Sequence, residues 1–239
     1  MKNNHLGQPI GFSMPNWQGA EHPQRIPIHG DFSTIEPLDP NRHADDLHSA
    51  FAADPDGALW TYMFDGPFQS KGELASWLSR ACETDDPLFH VIVDRGTGKA
   101  AGLAAYMRIK PDVGVIEIGH ITLSPALQRT SAATEAMYLF MKRAFEELGY
   151  RRYEWKCDSL NSASRRAALR LGFGYDGIFK QALVYKGRNR DTAWYSILDR
   201  DWPSLKHAYE LWLDPRNFDN QGQQKERLPQ LIAQSQADR

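Results

Sequence analysis

The sequence predicts an α+β fold built on one central mixed, mostly antiparallel sheet flanked by helices, and three observations predict it. Apolar periodicity switches between the two-residue and 3.6-residue repeats in the order strand, two helices, three strands, helix, strand, helix, two strands. That order is neither doubly wound nor a barrel. The length of 239 residues suits one ordinary domain with appendages. A hydrophobic fraction of 41% beside 24% charged residues permits a packed core.

Taken in order, residues 1–32 carry Pro9, Pro15, Pro23 and Pro27, which block regular structure and predict an extended arm, mobile or laid across the surface. STIEPLD reads as a short edge strand. PNRHADDLHSAFA reads as a helix, because Asp39 followed by Pro40 is a cap with proline in the first turn. Ser70 with Glu73 is a capping-box pattern ahead of ELASWLSRAC, where Leu74, Trp77 and Leu78 share a face. Between these helices lies DPDGALWTYMFDGPF, rich in aromatics. LFHVIVD and AAGLAAYMRI are two strands joined by a Gly-containing turn at 95–99, and VGVIEIGHITL is a third. From Ala132 the apolar residues recur at helical spacing until Gly149 closes the helix. YRRYEWKCD is a strand with Tyr153, Trp155 and Cys157 on one face and Arg152, Glu154 and Lys156 on the other. A short helix, SASRRAALRL, and strands at 178–185 and 192–198 complete the domain at about residue 200. In the remainder, 201–239, one amphipathic helix precedes a Gln-rich segment, expected to be unstructured beyond about residue 219.

Charge and cysteine content exclude several classes. With 28 Lys and Arg against 30 Asp and Glu, the net charge of −2 offers no basic field for nucleic acid. Cys82 and Cys157 form neither a disulfide framework nor a metal-ligand cluster, so no metal is expected. No signal-peptide run and no apolar stretch of roughly 20 residues is found, which predicts a cytoplasmic protein without a membrane partner.

The chemistry concentrates in HITLSPALQRTSAATEAM, where a strand turns directly into a helix. First-turn N–H groups lack intrahelical acceptors, and the helix dipole adds positive charge, so such a corner binds anions if side chains stay clear. Thr130, Ser131, Ala132 and Ala133 are small, Arg129 adds a cation, and two hydroxyls add donors. The anion suggested is a diphosphate.

Three segments in fixed order, IEIGHITLSPALQRTSAATEAM, YRRYEWKCDSLNSASRRAALRLGF and GIFKQALVYKGRNRDTAW, resemble the GNAT acyltransferase superfamily over about residues 33–200. The resemblance is closer to the branch that includes acetyltransferases of ribosomal-protein N-termini. It implies a single GNAT-like domain and acetyl-CoA as cosubstrate. The family's phosphate pattern, Q/R-x-x-G-x-G/A, falls on Gln128, Arg129, Thr130, Ser131, Ala132 and Ala133, with Ser131 where the family usually has Gly. The resemblance further implies that Ile121, Thr122 and Leu123 pair through their backbone with the pantetheine arm. A backbone N–H near Ile121 would then face the thioester carbonyl. Asn161 would bond the pantetheine, Ser164 would protonate the departing thiolate, and Arg165 could reach phosphate.

Acyl transfer to nitrogen requires a neutral amine, so a proton acceptor is needed. Glu117 and His120 are the candidates. Strict alternation puts them on opposite faces unless Gly119 marks a bulge, and the apolar neighbours of Glu117 favour it. The aromatic segment from Trp60 to Phe68 and the turn from Lys186 to Asp191 are expected to form the acceptor side, with Trp60, Tyr62, Phe68 and Asp191 the substrate-facing candidates, a set that favours a small amine with an apolar part, such as an amino acid or related metabolite. The alternatives are a protein N-terminal acetyltransferase and a non-catalytic sensor of acyl-CoA. A homodimer through the strands or the tail helix is compatible with the sequence.

Overall fold

The computed structural model describes residues 2–237. β1 (Lys2–Asn3) and β2 (Pro9–Ile10) form a small separate hairpin. β3 (Ile28–His29) and β4 (Ser33–Pro37) lead into α1 (Pro40–Phe51), which Asp39 caps by accepting from the N–H of Asn41. α2 (Lys71–Ala81) starts on Ser70, whose hydroxyl accepts from the N–H of Glu73. β5 (Leu88–Asp94), β6 (Lys99–Lys110) and β7 (Val115–Leu123) form a meander that runs into α3 (Ser131–Lys142). β8 (Arg152–Asp158), α4 (Ser162–Arg170), β9 (Gly174–Tyr185) and β10 (Arg188–Leu198) follow. α5 (Trp202–Leu213) and α6 (Leu228–Ala237) end the described chain.

Eight strands make one sheet in the order β3-β4-β5-β6-β7-β8-β10-β9. Every neighbouring pair is antiparallel except β7 with β8. One face carries α3 and α5, with Ile116, Ile118, Phe140, Tyr153 and Tyr209 in its core. The other carries α1, α2 and the aromatic segment between them, with Leu47, Trp60, Leu78, Phe89 and Val91. Among the described residues, no helix is long and apolar enough to cross a membrane.

Two expectations about the ends need correction. The segment beyond residue 219 is not unstructured, because α6 buries Leu228, Leu231 and Ile232 in the same core as α5. These residues keep the i, i+3, i+4 spacing of a helical face, which the surrounding glutamines obscure. The N-terminal arm is not wholly irregular either. Besides its hairpin it adds β3 to the sheet edge, and the rest lies along the surface. Trp17 Nε1 donates to the carbonyl of Asp112 at 2.7 Å, the N–H of Glu21 donates to Leu148 at 2.8 Å, and Arg143 donates to the carbonyls of Ile26 and Pro27. Glu135 pins the end of the arm: its carboxylate accepts from the N–H groups of Asp31, Phe32 and Ser33 and from the Ser33 hydroxyl.

Candidate functional site

The parallel ladder between β7 and β8 stops early. It pairs Val115 with Arg152, Ile116 with Tyr153 and Glu117 with Glu154, after which β7 continues to Leu123 and β8 to Asp158 without pairing. The two strands therefore open into a V. The backbone of Ile121, Thr122 and Leu123 bonds β6 on one side, where Thr122 opposes Leu103 and Leu123 opposes Gly102, and has no strand partner on the other. An extended ligand could take that vacant edge as an added strand.

A bulge sits in the same stretch. Two residues of β7, His120 and Ile121, oppose one of β6, Ala104, and His120 takes a left-handed conformation with φ of 47°. A positive φ in a non-glycine residue within a strand is uncommon and marks a local constraint. The bulge cancels the alternation between Glu117 and His120. Phe89, Ala105 and Gly119 oppose one another across three strands, which puts Glu117 on the Phe89 face, and the His120 ring lies 5.0 Å from that of Phe89. Both sequence candidates for proton acceptor thus share the face carrying the aromatic segment.

Their surroundings differ. Glu117 is buried, with both oxygens 2.8 Å from Arg108 Nη1 and Oε2 2.8 Å from Lys156 Nζ. Lys156 also meets Glu154, which meets Arg152, so alternating charges cross from β6 to β8. Burial raises the affinity of the Glu117 carboxyl for a proton, and the two cations offset this only in part. His120 has no ion pair among the described residues. Its ring sits between Phe64, at 6.4 Å, and Phe89, and burial lowers its affinity for a proton, opposed by Asp65 and reinforced by Arg108 and Arg190. It is a neutral imidazole near neutral pH, able to accept a proton.

At the open end of the V, α3 begins on Thr130. The Thr130 hydroxyl accepts from the N–H of Ala133 at 3.1 Å and donates to the carbonyl of Leu127 at 2.7 Å. Helix geometry leaves the N–H groups of Ser131 and Ala132 without intrahelical acceptors. The left-handed residue of this turn is Arg129, with φ of 64°, and not Ser131. The serine in the family's glycine position therefore demands no unusual backbone here. Gln128 ties the turn to β7 by donating to the carbonyl of Leu123 at 3.0 Å.

The remaining sequence candidates divide. Asn161 caps α4, accepting from the N–H of Ser164 at 3.0 Å. Ser164 accepts from Trp155 Nε1 at 2.9 Å. Arg165 donates to Tyr195 and to the carbonyl of Ser159, engaged within its own layer and not turned to the α3 corner. Trp60 is a core residue, buried edge-on against Phe51 and Phe68. Phe68 continues this chain of rings to Trp77 and Phe89. Tyr62 reaches the carbonyl of Leu160 at 3.3 Å, bridging the aromatic segment to the loop before α4. Asp191 does not join the cleft: its carboxylate accepts from the N–H of Gln181 and from Asn189, bonds that hold its pKa below the usual carboxylate range.

Other residues of the aromatic segment and of the 186–191 turn, not singled out in the sequence, build much of the wall beside His120. Lys186 donates to the carbonyls of Trp60, Asp65 and Gly66, and Arg188 to that of Thr61, so the β9–β10 hairpin grips the aromatic segment. Phe64, Tyr185 and Arg190 form the wall next to His120, with Lys156 placed 3.7 Å from the centre of the Trp194 ring. The charged character of KGRNRD was the one local signal for this wall, and it does not say which of its residues turn inward.

Comparison with known proteins places this geometry. The acetyltransferase (GNAT) domain family matches residues 34–174. A crystal structure of a GCN5-related N-acetyltransferase from Brucella melitensis is 47% identical, with 92% of this chain and 100% of that one covered at a TM-score of 0.90. A GNAT-family acetyltransferase structure from Chromobacterium violaceum is 41% identical over 82% of this chain and 98% of that one, with a TM-score of 0.75. The acetyltransferase of Salmonella typhimurium that modifies the N-terminal serine of a 50S ribosomal subunit protein shares the fold, at 20% identity, 71% and 96% coverage and a TM-score of 0.61. No curated protein matches the chain.

Proposed function

Because the chain belongs to the GNAT acetyltransferase family, whose members are acetyl-CoA-dependent N-acetyltransferases, we propose that it acetylates the primary amine of a small molecule, an amino acid or related metabolite. The observation that supports this reading best is the bulge at His120, which sets a neutral imidazole beside the V, under an aromatic segment fastened down by Lys186. A long protein terminus needs an open groove, and the tie between hairpin and aromatic segment favours a compact acceptor instead. The N-terminal arm runs from Asp112 and Leu148 to α3, where Asp31 and Phe32 donate to Glu135, and among the described residues it makes no hydrogen bond to the aromatic segment, so it is no lid on the acceptor side.

Acetyl-CoA supplies an activated thioester. The protein's part is to bind and orient. The N-terminal turn of α3 with Arg129 and Thr130 would hold the pyrophosphate, and the vacant edge of β7 at Ile121–Leu123 would pair with the pantetheine arm. The N–H at the bulge would donate to the thioester carbonyl oxygen. His120 accepts the proton of the incoming amine, directly or through one water. Glu117, fixed between Arg108 and Lys156, orients this face and keeps its charge balanced. Ser164 is the hydroxyl offered to the departing thiolate, and Asn161 holds the start of α4 in place beneath it.

Free-thiol release from acetyl-CoA, measured with amino acids, polyamines, aminoglycosides and peptides ending in ribosomal-protein sequences, tests the reading. Release that depends on a small amine is expected. Release with the peptides alone would replace it with the protein N-terminal reading, and coenzyme binding without release by any acceptor would favour a sensor.

A further inference from the structure

We infer that Arg190 is the anchor for a carboxylate carried by the acceptor, so that the substrate is an amine and an acid at once; this deepens the small-molecule reading and rests on it. Arg190 lies on β10 and is 7% exposed. Guanidinium groups at that depth are ordinarily paired with an acid. This one is not. Among the described residues its hydrogen-bond partner is Thr192, whose hydroxyl accepts from Nε at 3.2 Å, and the other nitrogens of the fork bond no protein group. Asp158 on β8 acts on this guanidinium through its charge but makes no ion pair with it; its oxygens accept from the N–H of Leu160 and from the Tyr185 hydroxyl, each at 2.8 Å.

The guanidinium lies against the same aromatic wall as His120. Its Cζ stands 5.4 Å from the centre of the Phe64 ring and 5.8 Å from that of Tyr185, two aromatic walls that fix its plane. The same Phe64 ring packs against His120. The guanidinium and the imidazole therefore flank one phenyl ring, and an acceptor lying along it could give its amine to His120 and its carboxylate to Arg190. Arginine suits that task because its donors form a flat fork that meets both oxygens of a carboxylate together. Burial weakens the hold of this guanidinium on its charge, Asp158 offsets this only in part, and an incoming anion would offset it further.

The test has two arms. In the first, calorimetry on the full chain saturated with CoA compares N-acetylated amino acids with their carboxamides. The free acids are expected to bind at least about 30-fold more tightly, a preference that the Arg190→Gln variant loses while its affinity for CoA stays unchanged. In the second, thiol release compares amino acids with their amides, and the same preference is expected in kcat/KM. Equal binding of acid and amide by the wild type overturns the anchor, as does a preference that survives in Arg190→Gln. Carboxylate-dependent binding without turnover would leave the anchor standing and remove the transferase reading, so the two failures are distinct. An Arg190→Lys variant keeps the charge but not the fork. It is expected to recover only part of the preference, which separates recognition by shape from attraction by charge.

Discussion

The two ends of the cleft are built from different materials. The end proposed to hold the coenzyme is mostly backbone: an unpaired edge of β7, the first turn of α3 and a turn whose left-handed residue is Arg129. The end proposed for the acceptor is mostly side chain, with contributions from the aromatic segment, β6, β7, β8 and β10 that meet at His120, Glu117 and Arg190. A backbone site asks of its side chains only that they be small or absent. A side-chain site depends on each residue and on each neighbour that orients it, so single substitutions should act much more strongly there.

The largest effect is expected at the bulge. Replacing His120 with Gln removes the proposed proton acceptor and should lower kcat by about a thousandfold, with affinity for CoA unchanged. The pH profile adds an independent check. Burial lowers the pKa of His120 below its ordinary value of about 6.5, so the active neutral form persists to lower pH and is lost only as pH falls through the lowered value. The acid limb of kcat/KM should therefore lie below pH 6.5 and disappear in the variant. A limb that persists unchanged would transfer the role to Glu117. Next in size is the charge row. Lys156→Met leaves Glu117 and Glu154 each short of a cation in surroundings where their side chains are 3% and 8% exposed. Removing one partner of a buried pair costs about 3 kcal/mol, or roughly 6–12 °C in Tm for a chain of this size. Adding Glu117→Gln should recover part of the loss, and strict additivity of the two changes would show that the row is not coupled.

The same contrast explains what could be read from the sequence. The coenzyme end is local, since Gln128 to Ala133 are contiguous and small residues at a strand-to-helix corner carry a physical meaning of their own. The order of strands and helices was legible for the same reason, with periodicity and caps at Asp39 and Ser70 recording each element where it stands. The acceptor end was legible only in outline. Whether Trp60 or Phe64 faces substrate depends on how the hairpin 120 residues later grips the segment, and Lys186 does this through backbone carbonyls that leave no trace in residue identity. The direction of Arg190 rests on strand register, which is set by a bulge in β9 at Gln181. At the C-terminus, polar composition outweighed a three-residue apolar face, and α6 went unread.

At the coenzyme end the expected changes are smaller. Arg129→Glu places a negative charge at the mouth of the α3 corner and should raise the Kd for CoA about tenfold, by repulsion from phosphate at an exposed position. Unchanged affinity would mean that the corner does not hold the pyrophosphate.

The smallest effects separate backbone from side chain within that turn. Ser131→Gly restores the family's usual residue, yet the left-handed conformation belongs to position 129, so affinity should change by less than about threefold. Arg129→Gly acts in the opposite sense on two quantities. Glycine adopts a φ of 64° without the penalty that a side chain incurs, which should stabilise the fold by up to about 1 kcal/mol. It also removes the cation, which should weaken CoA by a few-fold. Chemical denaturation and calorimetry on one variant would read both. A gain in stability with a loss in affinity means that this turn keeps a strained arginine for its charge. A loss in both would show that Arg129 holds the turn through contacts of its side chain, and the coenzyme end would then be less purely a backbone site than its geometry implies.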